Sequence, residues 1–174
     1  HRKPSTPSGP LLAVPRPATA WFNTDSEREK DYICGTGFSR MKQVLDSIVI
    51  ADFTQMMQGG WASQKLGDMG ADVIKIEPPQ GELERDVRFN GEMYDDWSYG
   101  FLAKDRNKRS VALDLKSEEG HEAALDIIQE ADVMMENFRP SVMERLGLDY
   151  ETVKETNSDI IYVSGSAYGS SGPY

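Results

Sequence analysis

The 174-residue chain contains one cysteine, two histidines and no run approaching the roughly 18 apolar residues of a membrane span. A single cysteine excludes an intrachain disulfide, and with it a small secreted scaffold held by cross-links. Positive charge is scarce: 19 Lys and Arg stand against 29 Asp and Glu, a net charge of −10. That balance argues against an electrostatic nucleic-acid binder. There is no G-x-G-x-x-G fingerprint, no Gly-Lys-Ser/Thr P-loop and no G-x-S-x-G elbow, so ordinary nicotinamide, ATP and serine-hydrolase chemistry lose ground. His121 sits between Gly120 and Glu122 with no second histidine at ligand spacing, and no metal is expected. The expectation from these absences is a cytoplasmic protein with no membrane or nucleic-acid partner.

What the chain does contain divides near residue 40. Residues 1–40 are rich in Pro and Ser and lack an apolar period, which predicts a disordered or extended arm. The arm lacks the continuous apolar stretch of a signal peptide. Met41, just ahead of the first patterned segment, is a candidate native start. The arm holds six basic and four acidic side chains, leaving 13 basic and 25 acidic in 41–174, a net −12. Such an excess of surface acid suits a high-salt cytoplasm.

From Val44 the pattern alternates. Val44–Ala51 reads as a buried strand, Trp61–Met69 as a helix stopped by Gly70, and Ala71–Glu77 as a second strand closed by Pro78-Pro79. Strand, helix and strand within about 35 residues make a parallel crossover unit. A polar loop runs from Gln80 to about Tyr99, with a short helix near Asp95–Leu102. Ser110–Leu115 reads as a strand, and Ser117 caps a helix running to Glu130. Further strands are expected at Ala131–Glu136 and Ile160–Ser164, and short helices at Pro140–Leu146 and Tyr150–Thr156. The fold class is therefore α/β, a Rossmann-like open and mostly parallel sheet with flanking helices. The sheet reads as four or five strands and as incomplete at its C-terminal end.

Ligands of open α/β sheets sit beyond the carboxyl ends of the strands. The segments to watch are therefore Asp52–Gly60, Glu77–Gly81, Leu115–Lys116, Asn137–Arg139 and Ser164–Tyr174. Gly59 and Gly60 allow close backbone approach at a helix start, or simply open a helix. Lys104-Asp-Arg-Asn-Lys-Arg-Ser110 is the densest positive patch, fit for a phosphorylated cofactor or for solvent. Asn137-Phe-Arg-Pro140 offers an amide, a ring and a guanidinium to an adenine; equally, Asn137 is a turn residue and Phe138 core.

Taken in order, the motifs resemble the class III CoA-transferases, the CaiB/BaiF family. The resemblance rests on Asp52-Phe-Thr, Gly70-Ala-Asp-Val-Ile-Lys-Ile-Glu-Pro-Pro79, Asn107-Lys-Arg-Ser-Val-Ala-Leu-Asp-Leu-Lys116, Ala131-Asp-Val-Met-Met-Glu-Asn-Phe-Arg-Pro140, Arg145-Leu-Gly-Leu148 and Tyr168-Gly-Ser-Ser-Gly-Pro-Tyr174. It covers about 41–174, which it marks as the N-terminal part of a CoA-transferase large domain. It implies transfer of CoA from an acyl-CoA donor to a small free carboxylic acid through an aspartyl covalent intermediate, in a homodimer of interlocked full-length protomers. By matched position, Gln58 supports catalysis, while Met57, Gly59, Leu113, Lys116, Asn137, Phe138 and Arg145 bind coenzyme A. Two departures stand out. A position that carries a CoA-contacting Arg in some members is Pro78 here, with Arg85 a possible substitute. The nucleophilic Asp falls a short way past Gly-Pro-Tyr, beyond Tyr174, so this chain alone is expected to be inactive; Asp52 and Asp114 have structural roles in the family pattern. The alternatives are a 2-methylacyl-CoA racemase of the same family, or a CoA-binding fragment without catalysis.

Overall fold

The computed structural model describes residues 42–87, 93–94, 97–169 and 171–172. The arm over 1–40, Met41, Cys34 and the end of the Gly-Pro-Tyr motif lie outside the described residues. Five strands form one parallel sheet: β1 (Val49–Asp52), β2 (Asp72–Glu77), β5 (Lys108–Ala112), β6 (Val133–Glu136) and β7 (Ile161–Ser164), in the order β5-β2-β1-β6-β7. Every neighbouring pair is parallel, with Ile50 opposite both Val73 and Val133. A two-stranded antiparallel ribbon, β3 (Met93–Tyr94) with β4 (Trp97–Ser98), interrupts the crossover between β2 and β5. This is the mostly parallel open α/β sheet that the alternating pattern predicts.

The order reverses direction at β1. From β1 the chain crosses outward to β2 and β5, then returns to β6 on the other side and continues to β7. The switch point thus lies between the carboxyl ends of β1 and β6, where such sheets form a crevice.

Helices α1 (Met56–Asp68), α2 (Tyr99–Lys104), α3 (Glu118–Gln129), α4 (Val142–Leu146) and α5 (Tyr150–Thr156) complete the fold. Alternation along β1 and β2 divides the two faces. Ile50 and Val73 pack with Ala71, Met135, Leu45, Ile48 and Leu66 on the α1 side. Ala51, Phe53, Ile74, Ile76 and Met134 are also buried, as are Ala124 and Ile128 of α3 and Val153 of α5. Ser117 caps α3, its Oγ accepting from the Gly120 N–H at 3.0 Å. Gly120 itself has no room for a Cβ, which would overlap the Asp114 carbonyl. Gly70 follows α1 at φ +108°, as its role in ending the helix requires.

Four local expectations need correction. The strand expected at Ser110–Leu115 is β5, shifted to Lys108–Ala112, because Asp114 closes a turn by accepting from the Lys116 N–H. Strand β1 begins at Val49; Val44–Ser47 form a turn instead, in which the Gln43 N–H donates to Asp46 Oδ2 at 2.6 Å. Helix α1 begins at Met56, five residues before the predicted start, because two glycines sit inside its first turns. Their poor helix propensity, about 1 kcal/mol each, is offset by packing: a Cβ at Gly59 would overlap Thr54, and one at Gly60 would overlap Lys104. The short helix expected near Asp95–Leu102 is α2, shifted to Tyr99–Lys104, with Ser98 as its cap.

Candidate functional site

Parallel pairing puts all five carboxyl ends on one edge of the sheet. Onto that edge open the segments that follow β1, β5 and β6, holding Met57, Gln58 and Gly59, then Leu113 and Lys116, then Asn137 and Phe138. Arg145 follows on the last turn of α4, exposed.

The loop between β1 and α1 is fastened at every residue. Buried Asp52 accepts from the Thr54 N–H at 2.9 Å, the Thr54 hydroxyl at 2.5 Å and the Ser63 hydroxyl at 2.6 Å. Lys108 Nζ lies 3.1 Å from the same carboxylate. Asp52 therefore knots β1, the loop, α1 and β5 together, a structural role. The Phe53 N–H donates to the Met135 carbonyl at 2.8 Å, and Lys75 Nζ donates to the Thr54 carbonyl at 2.9 Å. Gln55 is held by Asn137 alone of the described side chains: its N–H donates to Oδ1 at 2.8 Å, and Nδ2 donates to its carbonyl at 2.7 Å. Met56 then takes φ +58°. Met56, Met57 and Gln58 are exposed, and the helix start carries no side-chain cap. The first-turn amides of α1 thus have no capping bond from the Gln55 side chain, at a helix start where negative charge is favoured.

Beyond β5, the Leu113 N–H donates to the Glu77 carbonyl at 2.8 Å, and Asp114 Oδ1 accepts from the Lys116 N–H at 3.0 Å. Lys116 is exposed ahead of α3. Beyond β6, Phe138 is half-buried, its N–H donating to Glu136 Oε2 at 2.8 Å. The amide expected beside an adenine thus has both its polar atoms on Gln55. His121 is half-buried, with Nε2 3.4 Å from the Gly147 carbonyl.

The positive patch over 104–110 is not an open phosphate site. Lys104 and Lys108 are buried and ion-paired: Lys104 meets Glu82, Glu84 and Asp105 at 2.6–3.1 Å, and Lys108 meets Asp52 and Asp105. Arg106 pairs with Asp68 at 2.6 Å and Arg109 with Asp72 at 2.7 Å. Arg85 is committed as well. Its Nε and Nη2 each lie 2.6 Å from a Glu77 carboxylate oxygen, and its guanidinium stacks 4.1 Å from Phe101 and 5.1 Å from Trp97. It is therefore a bidentate partner of Glu77, so the geometry gives no support to its replacing a CoA contact at Pro78.

Lys75, paired with Glu82 and lying 3.6 Å from Asp105, completes a buried ionic core beneath the α1 loop. A cleft of about 270 Å³ opens beside it between Arg85, Trp97, Leu102, Asp105 and Ser110. Of the residues expected to contact coenzyme A, only Arg85, offered as the substitute for the contact missing at Pro78, lines that cleft, and its guanidinium is committed to Glu77. Sequence reasoning passed over this core, although a lysine between Ile74 and Ile76 in an apolar strand was its visible sign. Burial would raise the Glu77 carboxyl; hydrogen bonds from Arg85, Ser110 and the Glu82 N–H, with the Arg85 charge, instead hold it at about 2. Burial acts against the Lys104 charge too, but Asp105 and Glu82 push its ammonium above the ordinary lysine range.

Comparison with known proteins adds a second line. The profile of CoA-transferase family III matches residues 45–174. An acyl-CoA transferase of Fusarium pseudograminearum is 40% identical over 144 residues, covering 78% of this chain and 31% of that protein. A succinyl-CoA:mesaconate CoA-transferase of Haloarcula hispanica is 41% identical over 130 residues, 72% and 32% of the two lengths. An acetyl-CoA:oxalate CoA-transferase of Acetobacter aceti is 39% identical over 136 residues, 78% and 34%. Among solved structures, a CaiB/BaiF family protein from Brucella suis superposes with a TM-score of 0.69 at 37% identity, covering 76% of this chain and 35% of its own. The chain spans about a third of the length of these relatives.

Proposed function

The chain belongs to CoA-transferase family III, and from that premise we propose that the protein carrying it moves CoA from an acyl-CoA donor to a free carboxylic acid. What supports the reading is a convergence. The segments bearing the family motifs open onto the same carboxyl edge of one parallel sheet, and one of them presents uncapped helix amides at the switch point. In this reading Met57 and Gly59 lie along the acyl-pantetheine end of the donor, and Gln58 contacts its thioester. Leu113, Lys116, Phe138 and Arg145 hold the nucleotide end, with Lys116 and Arg145 facing its phosphates.

The proposed chemistry is covalent catalysis by a carboxylate outside this chain. An aspartate oxygen attacks the donor thioester carbon, the C–S bond breaks, and CoA thiolate leaves a mixed anhydride. The thiolate then attacks the aspartyl carbon and releases the donor acid, giving an aspartyl thioester. The acceptor carboxylate attacks that carbon and expels the thiolate, which returns to the acceptor acyl carbon and frees the aspartate. No net proton or electron is needed. The contribution of this chain is to orient the thioester over the edge of the sheet and to place amide dipoles where charge develops.

The test offers the intact protein a panel of acyl-CoA donors and small carboxylic acids in deuterated water and resolves the products by mass spectrometry. The expected result is a new acyl-CoA formed at the expense of the donor, with no deuterium entering the α-carbon, and an aspartyl hydroxamate trapped by hydroxylamine. Deuterium uptake without transfer would mark a racemase. Binding without either reaction would mark a module that only holds CoA.

A further inference from the structure

Asn137 bridges the two halves of the sheet at the point where they part. It lies 82 residues from Gln55 in sequence, yet each of its polar atoms bonds that residue's backbone, one to the N–H and one to the carbonyl. A two-point bond of this kind fixes orientation as well as distance. Immediately after it, Met56 holds a left-handed φ of +58°, a conformation costly for a side chain with a Cβ and kept only where the surroundings enforce it. The preceding loop residues are anchored independently, through Asp52, Met135 and Lys75. The helix start has no side-chain cap of its own. Asn137 is consequently the last described anchor before the exposed turn that carries Met57 and Gln58.

We propose that Asn137 is a positioning residue: through Gln55 it holds the left-handed turn at Met56, and so sets the first turn of α1 and Gln58 against the donor's acyl thioester. The proposal rests on the CoA-transfer reading for its kinetic consequence but not for the latch itself. It differs from a nucleotide contact, because the amide acts on the acyl end and does so through another residue.

Two variants in the intact protein test it, Asn137→Ala, which removes both bonds, and the near-isosteric Asn137→Asp, which sets an oxygen against the Gln55 carbonyl. The kinetic measurement compares an acyl-CoA donor with the matching acyl-pantetheine, which has no nucleotide. The expected result is a fall in kcat of about tenfold or more in both variants, equal for the two donors, with KM for acyl-CoA changed by less than about twofold. A raised KM with unchanged kcat, or a defect that vanishes with acyl-pantetheine, would overturn the proposal in favour of a nucleotide contact. Amide hydrogen exchange without substrate supplies the second readout: the Gln55 amide, which loses its acceptor in Asn137→Ala, should exchange at least about tenfold faster while Ile161–Ser164 are unchanged. Unchanged exchange at Gln55 in the folded Asn137→Ala variant would sink the latch. A wild type that exchanges normally but transfers no CoA would sink the functional reading and leave the latch standing.

Discussion

At the scale of single residues, the unusual feature is charge placed where the fold is driest. Lys75, Lys104 and Lys108 are each about 1% exposed or less, against Asp52, Glu82, Glu84 and Asp105. Desolvating so many ions offsets much of their attraction, so the group adds little net stability, but breaking it leaves charges without partners. Lys75→Met should therefore destabilise the fold by about 3 kcal/mol, read as a fall in urea midpoint with an unchanged m-value; a loss under about 1 kcal/mol would contradict the burial of this pair. The sequence made part of this visible. A lysine inside Val73–Ile76 signals a buried partner, but which acids serve it depends on a crossover that brings 82–84 and 104–108 over β2, and spacing does not encode that.

Glu77 gives the same region a pH signature. Its carboxyl is held at about 2 against an ordinary value of 4.5. A depressed folded value means the stabilisation is fully present above about pH 4.5 and is lost as pH falls toward 2. The size is on the order of 3 kcal/mol. Thermal melts should show Tm dropping through that window, and Arg85→Gln should flatten the drop, since it removes the bidentate partner. An equally steep drop in Arg85→Gln would show that other carboxylates carry it.

At the scale of elements, what was legible was whatever local chemistry decides. Gly70 ending α1, Ser117 opening α3 and the helix at Tyr150–Thr156 follow from residue type and order, with Asp149 capping the last through the Glu151 and Thr152 amides. What was missed was decided by tertiary packing. Helix α1 runs through Gly59 and Gly60 because Thr54 and Lys104 need the space, and its start has neither a capping Ser nor Asp to announce it. The ribbon of β3 and β4 lies in a stretch whose polarity reads as loop. Of the candidate site, the segments were legible but the job of Asn137 was not, since Gln55 is distant in sequence. A second asparagine makes the same point for stability. Asn157 Nδ2 donates to the Ile128, Gln129 and Ala131 carbonyls, closing the C-terminal end of α3 from the end of α5. Asn157→Ala should cost about 1–2 kcal/mol and speed exchange in the last turn of α3 and in α5; exchange confined to α5 would show that the asparagine does not join the two helices.

At the scale of the whole molecule, the acid excess and the parallel sheet set behaviour. A net −12 over 41–174 is a self-repulsion that salt screens, with a Debye length near 10 Å at 0.1 M. The buried pairs are screened far less. Tm should rise as KCl increases from about 0.05 to 0.5 M, within a range where Hofmeister effects are small. A constant or falling Tm would show that surface ion pairs such as Arg106–Asp68 and Arg109–Asp72 outweigh the excess charge.

The carboxyl edge of the sheet carries the functional account, and hydrogen exchange of the intact protein with and without an acyl-CoA tests it most directly. Ligand should slow exchange at Met56–Gly59, Leu113–Lys116 and Asn137–Arg145 and leave the opposite-edge turns at Gly70–Ala71 and Glu130–Asp132 unchanged. Protection confined to those turns or to the cleft beside Arg85, or none at saturating acyl-CoA, would contradict it.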